Sequence, residues 1–307
     1  MLALLHLGLI SWSAVPAAPR AAAATTPRAA VRLMADVTLP SSPKDVASQA
    51  SLAVQAALSD GHRRLEVTAP EGLCFFGSQG KQTLGDPDLG VPTGMRERGD
   101  RELAYICAEM FSALGDGVAV CLPDDDAVEA TRREFAKGGL QARLTSSPTA
   151  LAPKTGGGGG FGGGGGGGGG AASPLRVVLM VRANKQSLAA LKPVVDPLGN
   201  EVVVVLVNPQ RLKSGKDRKG YVPTFVLRDN PHPEWRGGLL YRCYPGRWAL
   251  AVAAAGGRVV VHGQSDDKPT LDDLGEGFEK IKDDTSLISQ AGGLLSAAGA
   301  AAALERR

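Results

Sequence analysis

The sequence predicts an α/β protein, a three-layer and mostly parallel sheet that ends in an antiparallel meander. Three observations lead there. Short runs rich in Val and Leu, at 118–122, 176–181 and 201–207 (EVVVVLV), read as strands buried on both faces. Between them lie stretches with apolar residues at helical spacing, the alternation that βαβ units require. From 235 to 262 the pattern changes to short strands broken by Pro245-Gly246 and Gly256-Gly257, which marks a meander. Together these describe a Rossmann-like layout with an antiparallel extension.

The elements follow in chain order. Ser42 caps the first helix, Pro43 suits its first turn and Asp45 favours its positive end. Val46, Ala50, Ala53, Val54, Ala57 and Leu58 give that helix one apolar stripe, and Asp60-Gly61 stops it. Residues 64–68 form the first strand, and 77–99 read as a loop rich in Gly and Pro. Asp100 is expected to cap a second helix reaching Leu114, with Leu103, Ile106, Cys107, Met110 and Phe111 facing inward. A strand at 118–122 leads to a helix at 124–137, stopped by Gly138-Gly139. A short strand is expected at 141–144.

Beyond the glycine-rich stretch come a strand at 176–181, a helix at 186–195 and the most apolar strand, 201–207. Asn208-Pro209 ends that strand, and a polar loop runs to Gly220. A strand at 222–227 precedes the meander, whose strands are 240–244, 248–254 and 258–262. Residues 270–281 form a final short helix. On the first meander strand Arg242 and Tyr244 stand two apart and are expected to share a face, with Cys243 on the other.

Residues 155–170 hold fourteen glycines and one Phe161. Ordering so many glycines costs too much backbone entropy for a packed element. Too few strands precede this stretch to make a sheet alone, so we expect a flexible insertion at 146–173 inside one α/β domain of residues 36–283. An Ala- and Gly-rich tail, 284–307, follows.

The formal net charge of +3 misleads. The first 35 residues carry Arg20, Arg28 and Arg32 and no acid, so the remainder is near neutral. That argues against broad attraction to nucleic acid. Residues 1–10 (MLALLHLGLI) form an apolar run too short to span a membrane and resemble a signal core. Residues 16–33 are rich in Ala, Thr and Arg, as in transit peptides. A bipartite leader of this kind predicts delivery to the stroma of a plastid (chloroplast).

Cys74, Cys107, Cys121 and Cys243 show no C-x-x-C spacing and read as reduced, buried small side chains. His62, His232 and His262 lack metal-ligand spacing, so no metal site is expected. Gly80-Lys81-Gln82-Thr83 lacks the upstream glycine and the following helix of a phosphate loop. No Gly-x-Ser-x-Gly elbow occurs. Asp124-Asp125-Asp126 follows a strand, where open parallel sheets bind ligands, although helix capping explains the same acids. The basic loop with Arg211, Lys213, Lys216, Arg218 and Lys219 reads first as a solvated face.

Several short pieces recur together in a known family: Leu39-Pro40, Arg64-Leu65-Glu66-Val67, Pro123-Asp124, Asn208-Pro209, and above all Arg242-Cys243-Tyr244-Pro245-Gly246-Arg247-Trp248. In their order they resemble the plastid and cyanobacterial domain-of-unknown-function family nineteen ninety-five, which includes the plant low photosystem II accumulation three protein. The resemblance spans roughly 39–282. Thr68 stands where that family often has an acid, and Leu122 where it often has an aromatic. The resemblance implies a stromal role in photosystem II assembly and names no catalytic residue or cofactor.

The expected function is therefore a non-catalytic factor acting through protein partners of photosystem biogenesis, with peripheral contact to a membrane and none to nucleic acid. The alternative is a nucleotide- or phosphate-dependent enzyme on the same fold. The candidate partner or ligand surface is Trp235, Tyr241, Arg242, Tyr244 and Trp248, since Trp, Tyr and Arg dominate interface energetics. A core role for Tyr244 and Trp248, closing the sheet, stands beside it. Asn208 and Asp124 complete the candidate set.

Overall fold

The computed structural model describes residues 37–76, 91–152, 174–210, 219–229, 238–253 and 259–283. The leader, the Gly80-Lys81-Gln82-Thr83 stretch, the glycine-rich run, most of the basic loop, Trp235, His232 and the tail lie outside them.

Among these residues nine strands form one sheet in the order β3-β2-β4-β5-β1-β6-β7-β8-β9. The strands are β1 (Arg64–Thr68), β2 (Val118–Cys121), β3 (Arg143–Thr145), β4 (Val177–Val181), β5 (Val203–Val207), β6 (Val222–Asp229), β7 (Gly238–Cys243), β8 (Trp248–Ala253) and β9 (Val259–Ser265). The six from β3 to β6 run parallel, and β7, β8 and β9 add on antiparallel. The mixed α/β class and the antiparallel C-terminal meander are thus as the sequence indicates. Strands from both sides of the glycine-rich run interleave: β4 and β5 lie between β2 and β1.

Among the described residues five α-helices cover the sheet: α1 (Pro43–Ser59), α2 (Thr93–Glu109), α3 (Asp125–Gly138), α4 (Lys185–Val195) and α5 (Leu271–Asp283). Side chains mark the starts of α1, α3 and α4. The Ser42 hydroxyl accepts from the Asp45 amide at 3.1 Å, the Asp124 carboxylate from Ala127 at 2.8 Å, and the Asn184 amide oxygen from Ser187 at 2.8 Å. Each cap is worth about 1 kcal/mol.

Alternation along the strands divides the core by face. Leu65, Val67, Val120, Leu179, Val205 and Phe225 pack under α1, α2 and α3. Val178, Met180, Val204 and Leu206 point the other way, against Leu191, Val194 and Val195 of α4. Further along that second face Val226, Leu240, Trp248 and Leu250 meet Leu274 of α5.

Four expectations need correction. The second helix starts at Thr93, well before Asp100, which lies inside the helix and is buried. Gly99, read as the end of a loop, is a packing residue: a Cβ there would stand 2.6 Å from the Leu73 carbonyl oxygen. Residues 146–152, expected to be flexible, contain a tight turn at Pro148–Leu151 whose Leu151 is buried beside α4. Tyr244 does not share a face with Arg242, because β7 ends at Cys243 and the alternation stops there. Tyr244 instead joins Cys243 on the α1 side.

Candidate functional site

Two places gather the candidate residues. The first is the carboxyl edge of the parallel strands. After β2 the chain turns outward through α3 to β3, and after β4 it turns the opposite way through α4 to β5. α3 and α4 lie on opposite faces, so β2 and β4 flank a topological switch point, where open α/β sheets characteristically bind ligands. A cavity of about 170 Å³ opens there, lined by Arg96, Asp100 and Arg101 of α2, by Pro123 and Asp124 after β2, and by Arg182 after β4.

Asp100 is the hub of that edge. Its carboxylate accepts from Arg182 Nη1 at 3.0 Å and from Asn208 Nδ2 at 2.6 Å. The Asn208 side-chain oxygen in turn accepts from the Ala69 amide at 2.8 Å. One helix and the ends of β1, β4 and β5 are thereby tied together. Burial pushes the Asp100 carboxyl above its ordinary range, against the opposing pull of Asn208 and Arg182. Arg182 and Asn208 both hold left-handed backbones, with φ of 50° and 44°. Asn tolerates this conformation and Arg does so reluctantly, which marks the strand end at Arg182 as strained.

The other cations at the cavity also have counter-ions. Arg96 Nε lies 2.9 Å from Glu71, and Arg101 Nε lies 3.3 Å from Glu134. Asp124 is committed to capping α3, and Asp125 accepts from Ser146 Oγ at 2.6 Å. Among the described residues no cluster of three His, Cys, Asp or Glu side chains could hold a metal ion, and no helix is long and apolar enough to cross a membrane. Burial pushes the Cys107 and Cys121 thiols up to about 12, which makes them inert packing groups.

The second place is the meander. Tyr241 is buried on the α1 side, and its hydroxyl donates to Gln49 Oε1 at 2.7 Å. Burial raises its phenol well above the usual value. The Tyr244 hydroxyl donates to Asp60 at 2.8 Å and lies 3.2 Å from His62 Nε2, which fastens the end of β7 to the α1–β1 turn. On the other face the Arg242 guanidinium lies 5.1 Å from the centre of the Trp248 ring, and Lys268 Nζ lies 5.8 Å from it. Trp248 itself is only 1% exposed. Its indole N–H and Arg242 Nε are both shielded from solvent and lack a hydrogen-bond partner.

The candidate residues thus fall into separate groups. Arg242 and Trp248 stack together; Tyr241 and Tyr244 serve the opposite face; Asn208 and Asp124 belong to the switch-point edge. Sequence reasoning missed Asp100 and Arg182. For Asp100 a signal existed: it lies three, four and seven residues before Leu103, Ala104 and Cys107, so it sits on their buried stripe.

A family model described as domain of unknown function (DUF1995) matches residues 40–276. No curated protein matches the chain, and no solved structure does.

Proposed function

The chain belongs to the DUF1995 family, and from that premise we propose a non-catalytic factor of the plastid stroma that assists photosystem II assembly through protein contacts. The acid-free leader and the family resemblance support the plastid setting. The contact chemistry rests on one observation. Arg242 is half-buried against Trp248, its Nε without a partner, on an extension beyond the parallel core. Guanidinium groups stacked on aromatic rings are characteristic of interface anchors.

Affinity capture from solubilised plastids tests this reading. The wild-type chain should retain photosystem II components, and Arg242→Ala should retain markedly less. Stability should fall by only about 0.5–1.5 kcal/mol, because no hydrogen-bonded partner is stranded. Capture of the same proteins by both forms, or of no photosystem component by either, would remove the meander from the function.

A nucleotide- or phosphate-dependent enzyme remains the second reading, favoured by the cavity's place at the switch point. Its volume of about 170 Å³ is small against the roughly 300–1,000 Å³ of ordinary cofactor sites. A substantial rise in melting temperature with millimolar ATP, ADP or AMP plus magnesium would favour this reading over the first.

A further inference from the structure

We propose that Arg242 and Lys268, set against Trp248, form a binding site for one oxyanion group, a carboxylate or a phosphate. This deepens the contact reading by naming the partner's chemistry, and it rests on that reading for the source of the oxyanion. The register of β7 and β8, with Tyr241 opposite Ala249, carries Arg242 to the side of Trp248. Lys268 follows β9 and comes to within 5.8 Å of the same ring centre.

Two cations therefore share one indole. Among the described residues neither makes an ion pair, although arginines elsewhere in the molecule do: Arg98 with Glu102, Arg101 with Glu134, Arg182 with Asp100 and Arg247 with Asp266. A half-buried guanidinium normally finds a carboxylate or carbonyl oxygen, because desolvating the charge without one is costly. A ring face offsets only a small part of that cost.

Two acids close to Lys268 in the chain are already engaged, and a third, the exposed Asp267, makes no ion pair with it. Asp266 holds Arg247 through two bonds of 2.6 and 2.7 Å. Asp273 accepts from the Thr270 amide and hydroxyl at 2.8 and 2.7 Å. What the cluster lacks is negative charge and acceptor lone pairs. A metal ion or an apolar group supplies neither, whereas a carboxylate or phosphate supplies both and matches the guanidinium fork. Arg242 Nε and the indole N–H are shielded, so first contact falls to the Arg242 terminal nitrogens and the exposed Lys268 ammonium. The indole N–H beneath them then acts as a reporter.

Nuclear magnetic resonance of the full chain reads this directly. Three indole N–H signals are expected from three tryptophans, and the Trp248 signal is the one absent from Trp248→Phe. Titration with inorganic phosphate, and separately with a glutamate-rich peptide, should move that signal saturably. Lys268→Gln, an exposed change that leaves the core intact, should weaken the effect about tenfold, and Arg242→Gln should weaken it at least as much. Saturation at lower concentration by the peptide assigns the site to an acidic partner segment; the reverse order assigns it to free phosphate. No saturable shift with either probe, or shifts unchanged in both variants, overturns the site. A silent indole alongside continued loss of capture in Arg242→Ala would sink the oxyanion chemistry and leave the contact reading standing.

Discussion

The parallel half of the sheet and its antiparallel extension treat buried polar groups in opposite ways. At the carboxyl edge of the parallel strands, Asp100, Arg182 and Asn208 satisfy one another and hold several segments in place. Glu102 does the same nearby, accepting from the Phe75 and Phe76 amides and from Arg98. In the extension, Arg242 and Trp248 leave N–H groups unmatched with no counter-ion beside them, whereas Arg96 Nε, the one such group at the parallel edge among the described residues, is ion-paired to Glu71. The strand ends that the fold class marks as the ligand site are spent on architecture, and the add-on meander keeps unused binding capacity. Location in a fold nominates a site, but only the hydrogen-bond inventory of its side chains tells whether it is free to bind.

The largest test concerns whether the meander is part of the core or a surface laid on it. Trp248 is packed with Val226, Leu240, Leu250 and Leu274. Trp248→Ala should therefore cost about 3–5 kcal/mol in urea unfolding, the usual loss for a buried aromatic. A cost below about 1 kcal/mol would make the extension a loosely held surface and dissolve the contrast.

Next comes the closed network. Asp100→Ala leaves Arg182 and Asn208 Nδ2 without their acceptor and should cost about 2–3 kcal/mol, less than a wholly buried ion pair because Arg182 keeps 22% of its side-chain exposure. Asp100→Asn, which retains an acceptor, should cost less and should change the pH response. Burial raises the Asp100 carboxyl above 3.8, so at mildly acidic pH the folded form holds a proton that the unfolded chain has released. More protons bound to the folded state means stability that falls as pH rises. The wild type should thus lose stability relative to Asp100→Asn as pH climbs from about 4 towards neutrality. A gap that moves the other way would mean the two hydrogen bonds outweigh burial.

Legibility in the sequence follows the same divide between periodic and non-local features. α1, β1, α3 and the meander strands could be read because apolar spacing and caps lie within a few residues of one another. The start of α2 was hidden: Asp before an apolar stripe resembles a cap, while Pro92 at the true start offers no side-chain cap. The network around Asp100 was invisible for a different reason. Its partners lie 82 and 108 positions away, and two of its members depend on left-handed backbones that no local pattern announces. In the meander Arg242 and Trp248 were legible as members of one candidate surface, since both flank the Pro245-Gly246 turn. Their missing hydrogen bonds were not.

The smallest effect expected is also the one that separates the two regions by their construction. The meander is drawn from one stretch of chain, whereas the parallel half is assembled from strands before and after the glycine-rich run. Deleting residues 156–170 shortens the link between residues 152 and 174 and touches no described element. Loop-closure entropy changes by about 0.6 kcal/mol per halving of length, so this deletion should stabilise by about 1 kcal/mol or less. Proteolytic nicking in the same stretch should give two pieces that co-migrate under native conditions, since β2 pairs with β4 and β1 with β5 across the cut. Pieces that separate and each stay folded would mean that the interleaved sheet is not what holds the parallel half together. A deletion costing several kcal/mol would assign the glycine run a structural part of its own. With neither outcome, the run is a spacer, and the integrity of the parallel half resides in its strand pairing and in the Asp100 network at its edge.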